Sequence, residues 1–204
     1  MMWDWIALGG WLLFALLAFG LRTIVQYRRT GSTGFLGFSG RGLERLGGVL
    51  FALAMVASVL APLASIGGWA EPIQRLTDPH LRYAGVGLYV LGLAGTLWAQ
   101  WAMGSSWRIG VKDSERTGLV TTGPFRWVRN PIFSAMLLCT LGLVLLVPNV
   151  LAVGALLALF VGVELQVRML EEPYLVRTHG DAYRAWAARV GRFVPFMGRG
   201  VDAA

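Results

Sequence analysis

From Ile132 to Val163 the chain runs for 32 residues without an Asp, Glu, Lys or Arg. An uncharged apolar run of that length belongs in a bilayer. Pro148-Asn149, a helix-breaking pair, interrupts it near the middle. That leaves 16 residues before the break, Ile132 to Val147, and 14 between it and Glu164. At 1.5 Å per residue each arm reaches roughly 21–24 Å, short of a perpendicular crossing of about 30 Å. The pattern predicts a short helical hairpin. Its second arm either continues through Glu164 to Val167 or turns back before the far face. Either way Glu164 lies near the inner edge of the bilayer, where a carboxylate must face protein or water.

Three further uncharged runs precede it: Trp5 to Leu21, Leu46 to Ala70 and Tyr83 to Trp107. Each is long enough to cross with modest tilt, and Trp3, Trp5 and Trp11 supply interfacial anchors at one end of the first. The start Met1-Met2-Trp3-Asp4 has no basic region and no small-residue cleavage site follows it, so the first span is expected to be a retained helix. With 56% hydrophobic and 14% charged residues, the expectation is an all-α integral membrane bundle of five transmembrane helices. Residues 1–103 would hold the first three, with a loop at 27–45. Residues 104–204 would hold a functional region: a loop, the hairpin at 132–170 and a C-terminal helical segment.

The net charge of +7 reports topology. Of 18 Lys and Arg, 16 fall in the segments 22–45, 108–129 and 168–199, and the remaining two are Arg75 and Arg82. The positive-inside rule then puts the N-terminus outside and the C-terminus in the cytoplasm. The basic segments meet anionic lipid headgroups, and nucleic acid is not an expected partner. One cysteine, Cys139, sits in an apolar run and reads as a small packing residue; two histidines without clustering give no metal site. The absence of internal repeats argues against transport.

Chemistry has three candidate locations. The stretch Thr117-Gly118-Leu119-Val120-Thr121-Thr122-Gly123-Pro124-Phe125 is rich in small residues whose backbone can approach a ligand, although composition alone favours a plain turn between interfacial segments. Arg126, Arg129 and Asn130 precede Pro131, which starts the hairpin. Arg126 reads as a membrane anchor, whereas Asn130 can cap the helix or hold a ligand. Last, Glu164, Arg168, Glu171 and Glu172 fall at helical spacing on one stripe, either as ion pairs or as groups facing a cavity. Pro173 is expected to weaken the helix beyond them. From Gly180 to Val190, Ala182, Tyr183, Trp186, Ala187 and Val190 recur at the spacing of an amphipathic helix.

This ordered set resembles the isoprenylcysteine carboxyl methyltransferase family, whose pattern the related phospholipid methyltransferases share. The residues that carry it are Leu119-Val120-Thr121-Thr122-Gly123-Pro124-Phe125, then Arg129-Asn130-Pro131-Ile132-Phe133, the hairpin, Glu171-Glu172 and His179-Gly180-Asp181-Ala182-Tyr183. The resemblance spans about residues 104–196. It implies S-adenosylmethionine bound on the cytoplasmic side and a lipid-like or isoprenoid acceptor entering from the bilayer. By position it implies that Thr117, Gly118, Leu119 and Val120 wrap the cofactor, with Gly123, Phe125, Arg129, Asn130 and Pro131 beside it. Glu171 would hold the cofactor's amino group. Arg168 would orient the acceptor, with Glu172 and Glu164 as further catalytic candidates. The chain departs from the family pattern at Asn130, where a histidine is usual, and at Phe125 and Phe133, which lack the usual tyrosine hydroxyls.

Methyl transfer from a sulfonium needs donor and acceptor about 3–3.5 Å apart in a dry site. A carboxylate acceptor needs no strong base, which favours it in a chain lacking the motif histidine; an amine or hydroxyl would require Glu164, Glu171 or Glu172 to accept a proton. Two other readings stay open. One is an NADPH-dependent membrane reductase with Arg126, Arg129, Arg177 and Arg184 on the phosphates. The other is a non-catalytic lipid-binding or scaffold protein that kept this fold.

Overall fold

The computed structural model describes residues 1–35, 37, 42–108, 110 and 118–201. Among these, all regular structure is helical. α1 (Met2–Phe14) passes through a π turn, Ala15–Leu21, into α2 (Arg22–Thr30), forming one continuous helix. α3 spans Leu43–Ile66 and α4 Pro79–Met103. The hairpin is α5 (Pro131–Leu146) and α6 (Val150–Gln166); a second π turn, Val167–Glu171, carries α6 into α7 (Glu172–Ala187). Four of the continuous helices are long and apolar enough to cross a membrane: Met2–Thr30, Arg45–Ile66, Pro79–Ser106 and Val150–Ala187. The fifth apolar helix, α5, is shorter at 16 residues. This is a multi-pass membrane protein.

Span ends are set by backbone chemistry more than by where charges resume. α3 stops at Ile66, four residues before the uncharged run does, because Gly67-Gly68 follows and Gly68 takes φ +71. α4 starts at Pro79 with the Asp78 side chain accepting from the His80 amide at 2.7 Å, and stops before Gly104 at φ +55. Trp107, the last residue of the third uncharged run, therefore lies beyond the helix.

Between the two hairpin arms, Asn149 is buried and accepts from the Ala152 amide at 3.0 Å while donating to the Ala61 carbonyl of α3 at 2.9 Å. One side chain caps α6 and ties the turn to a neighbouring span. Of the two courses open to the second arm, the structure takes the longer: helix continues through Glu164 and on as far as the kink at Gly180. At 1.5 Å per residue, residues 150–179 reach about 45 Å, half again the hydrocarbon thickness. The part beyond Gln166 thus stands clear of the bilayer core.

The bundle closes through small residues, as lipid-embedded helices do. α4 lies against α5 at Gly85 and Gly142, and a Cβ placed on Gly92 would fall 2.6 Å from the Ala135 carbonyl and the Cys139 amide. α3 meets α6 at Gly47 and Gly162. The main buried cluster, with Phe14, Ala18, Phe51, Tyr89, Met136, Leu143 and Leu159, joins α1, the first π turn, α3, α4, α5 and α6. A second cluster, Phe125, Tyr183, Trp186, Ala187 and Val190, packs the loop after α4 against α7. The amphipathic face predicted for 180–190 is thus covered by protein. Pro173 does not break the helix; it occupies the first turn of α7, directly after a widened π turn that eases its ring past the preceding carbonyls. The break comes at Gly180, with φ 53 and ψ −128.

A candidate ligand site between the membrane helices and their polar cap

The loop leading to α5 is held by backbone pairing that its sequence does not advertise. Gly123, at φ +59, turns the chain into the short 3-10 segment Gly123–Arg126. Val128 then forms a parallel bridge with Gly191, the Arg129 amide donates to the Gly191 carbonyl at 2.8 Å, and the Asn130 amide donates to the Arg192 carbonyl at 3.1 Å. Ser134 Oγ adds a 2.6 Å bond to the Phe193 carbonyl. The C-terminal segment is therefore a structural wall of the loop.

Arg129 is the centre of that wall. Its Nη1 donates to the Ala187 and Val190 carbonyls at 2.9 and 2.8 Å. Its Nη2 donates to Glu172 Oε1 at 2.7 Å and to the carbonyls of Gly198 and Gly200. Glu172 also receives Arg192, Nε on Oε1 at 3.0 Å and Nη2 on Oε2 at 2.9 Å. All three residues are at least 94% buried. A carboxylate between two guanidinium groups satisfies charges that water cannot reach.

Between this cap and the bundle lies one large cavity, about 1210 Å³ including its open mouth. Gly118, Leu119, Val120, Phe125, Arg129, Asn130, Pro131 and Glu171 all line it. Thr117 lies outside the described residues. Gly123 shapes the loop without lining the cavity, its Cα packed toward Ala102. Asn130 occupies the helix-start position but makes no side-chain cap; its Nδ2 donates to the Arg192 carbonyl at 3.2 Å.

The three residues proposed as catalytic do not line the cavity. Glu172 is enclosed by its two arginines. Glu164 and Arg168 form their own pair at 2.6 Å on a partly exposed surface. The single stripe foreseen from spacing is split by the π turn: Glu171, five residues on, receives Gln166 Nε2 at 3.0 Å, the separation a π turn brings into register. Glu171 is half-buried on the cavity wall. Loss of water pushes its carboxyl above the usual carboxylate range, and the Glu172 charge adds to this, while the Gln166 hydrogen bond and the Arg108 charge pull the other way.

Sequence reading passed over Thr96, Gln100 and Gln166, all buried and all on the cavity wall. The signal existed: polar residues four apart inside an otherwise apolar span are costly and mark interior sites. Gln100 Oε1, Gln166 Oε1, Thr96 Oγ1 and Trp186 Nε1 are buried without a hydrogen-bond partner. Gln166 Oε1 and Trp186 Nε1, an orphaned acceptor and an orphaned donor that share the cavity with the Glu171 carboxylate, suit a polar ligand that carries both kinds of group and a cation.

Residues 81–182, half of the chain, match the family model of the phospholipid methyltransferases. The chain belongs to that family. No curated protein matches it. The matched stretch takes in α4, the cavity loop, the hairpin and α7 as far as Ala182. It therefore includes the third span, which the motif resemblance had left out, and stops short of the segment that Arg129 holds. Phospholipid methyltransferases are membrane enzymes that use S-adenosylmethionine, and the mixed polar wall around Glu171 fits such a ligand.

Proposed function

We propose that the protein transfers the methyl group of S-adenosylmethionine to a lipid-like or isoprenoid acceptor, with the cavity as the meeting place. One observation carries this reading: a single cavity is bounded on one side by the membrane-level cluster (Phe14, Ala18, Phe51, Met136) and on the other by the cap cluster (Phe125, Trp186 with Leu119 and Val120). A water-soluble cofactor and a bilayer-soluble acceptor need such a two-sided space. In this reading the cap is cytoplasmic, the N-terminus lies outside and five helices cross, α5 and α6 among them; the distribution of basic residues supports that topology.

In this reading Gly118, Leu119 and Val120 offer backbone to the cofactor, Phe125 and Trp186 cover its base, and Glu171 pairs its amino group. The cofactor, when bound, supplies an electrophilic methyl on a sulfonium. The protein holds the reacting atoms together and excludes water, with Pro131, Ile132 and Phe133 closing the membrane side. Arg129 and Asn130 act through the wall they build. Arg168, paired with Glu164 away from the cavity, gives no support to orientation of an acceptor carboxylate.

Among the described residues, the arginines named for the reductase alternative are not gathered at the cavity. Arg126, Arg177 and Arg184 do not line the cavity, and Arg129 is committed to carbonyls and Glu172. Calorimetry of the purified protein with S-adenosylmethionine, S-adenosylhomocysteine and NADPH separates the readings. Binding of the first two supports the methyltransferase; NADPH alone would refute it, and no nucleotide binding would favour a scaffold.

A further inference from the structure

Thr96 and Gln100 stand one helical turn apart on α4, 0% and 3% exposed, and both line the cavity. Their surroundings belong to the membrane-level side. Leu93 and Leu97 of the same helix pack against that cluster, and Gln100 Nε2 donates to the carbonyl of Ala18, a member of it, at 2.9 Å. Because a backbone carbonyl can only accept, the Gln100 amide is fixed with its nitrogen toward Ala18. Its Oε1 is left buried and unpartnered, as is Thr96 Oγ1.

An unmade hydrogen bond in such a place is costly, and two on one turn of one helix call for a ligand that supplies donors. We propose that Thr96 and Gln100 form a recognition subsite for the head of the methyl acceptor, and that this head is an uncharged hydroxyl, an alcohol or phenol on an apolar tail. The inference rests on the methyltransferase reading of the cavity. The reason is charge. A carboxylate head would find one donor, the Thr96 hydroxyl, and would set its remaining lone pairs against Gln100 Oε1. An ammonium head would bury a cation beside groups that carry no negative charge. A hydroxyl donates to Gln100 Oε1 and exchanges donor and acceptor roles with Thr96.

Transfer to such a head balances without a further reagent. The hydroxyl oxygen forms the new bond to the methyl carbon as that carbon's bond to sulfur breaks. The bonding pair stays on sulfur, which becomes a neutral thioether. The hydroxyl proton leaves to water through the cavity's open mouth, since Glu171 is committed to the cofactor's amino group in this reading.

The test uses the full chain in lipid nanodiscs. Three amphiphiles share one tail and carry a phenol, a primary amine or a carboxylate. Binding is measured with S-adenosylhomocysteine present, and methyl transfer with labelled S-adenosylmethionine. The phenol should bind best and be methylated. Thr96→Val, which keeps shape and removes the hydroxyl, should weaken phenol binding about tenfold while leaving S-adenosylhomocysteine affinity in place. Thr96→Ser should restore binding, and Gln100→Met should erase the preference for the phenol. Equal or better binding of the amine or carboxylate, or a preference indifferent to Thr96→Val, overturns the subsite. Failure of S-adenosylhomocysteine to bind overturns the methyltransferase reading instead; a phenol preference persisting then would leave a lipid-binding site and refute its role as methyl acceptor.

Discussion

Arg129 was a cofactor candidate by its place in the motif, and the structure allows its two possible jobs to be separated. Replacing it with Met removes a side chain that is 1% exposed and five of its hydrogen bonds. The carbonyls of Gly198 and Gly200 lie in an exposed stretch and can recover water. Those of Ala187 and Val190 sit at the buried end of α7 and cannot, at about 1–3 kcal/mol each. Glu172 keeps Arg192 but loses half its compensation. Breaking a buried pair by removing one partner costs about 3–5 kcal/mol, and that is the expected net loss once the removed guanidinium's own desolvation is counted. For a chain of this length it corresponds to a fall of roughly 6–20 °C in Tm. Cys139 is free and buried in the bundle, so a thiol-reactive dye reports unfolding in detergent. Arg129→Lys, with charge but no fork, should fall between wild type and Met. A Met variant that unfolds within a degree or two of wild type yet loses S-adenosylhomocysteine binding would refute a structural Arg129 and make it a ligand contact.

Glu171→Gln should weaken S-adenosylmethionine binding about tenfold or more by calorimetry, since it removes the only carboxylate lining the cavity among the described residues; unchanged affinity would mean that Glu171 does not hold the cofactor. The same variant tests linkage without ligand. A carboxyl whose folded value is raised contributes stability that is full below its unfolded value and is lost as pH rises through the folded one. The Gln variant, which never ionises, should therefore gain Tm on wild type as pH rises above the unfolded carboxyl value of about 4, and a gain in the opposite direction would mean the carboxylate is stabilised by its surroundings. Gly92→Ala should destabilise by about 1–3 kcal/mol, because the added Cβ forces α4 away from Ala135 and Cys139; earlier dye labelling of Cys139 in thermal ramps would show it.

The spans were legible because a charge is too costly in hydrocarbon to be placed casually, so its absence marks depth. The turn at Pro148-Asn149 was legible for a related reason, but not that Asn149 would reach Ala61. The site was half legible. Positions 118–120 and Glu171, all lining the cavity, can be singled out because a motif lies along the chain. Arg129 and Glu172 were read as chemistry because their partner, Arg192, sits 20 residues beyond Glu172 with no periodicity to announce it. Thr96 and Gln100 were missed for the opposite reason: the eye follows charges in a membrane sequence, and these carry none.

Adjacent carboxylates with opposite surroundings, Glu171 on a cavity and Glu172 sealed between arginines, point to what the two π turns contribute. Each widened turn borders the cavity, Ala15–Leu21 through Ala18 and Phe19, Val167–Glu171 through Glu171. A π turn adds a residue without breaking the rod, which rotates everything beyond it and disturbs the regular carbonyl pairing. In the first helix, the Ala18 carbonyl within the turn accepts the side chain that fixes Gln100. In the last, the turn brings Gln166 onto Glu171 and lets Glu172 face the other way, toward Arg129. Two regular helices of the same sequence would leave Gln100 without its anchor and would put Glu171 and the Arg129 knot out of phase. The cavity wall is thus set by helix irregularity on both sides, and a change that restored regular α geometry at either turn would disturb the ligand site while leaving the spans intact.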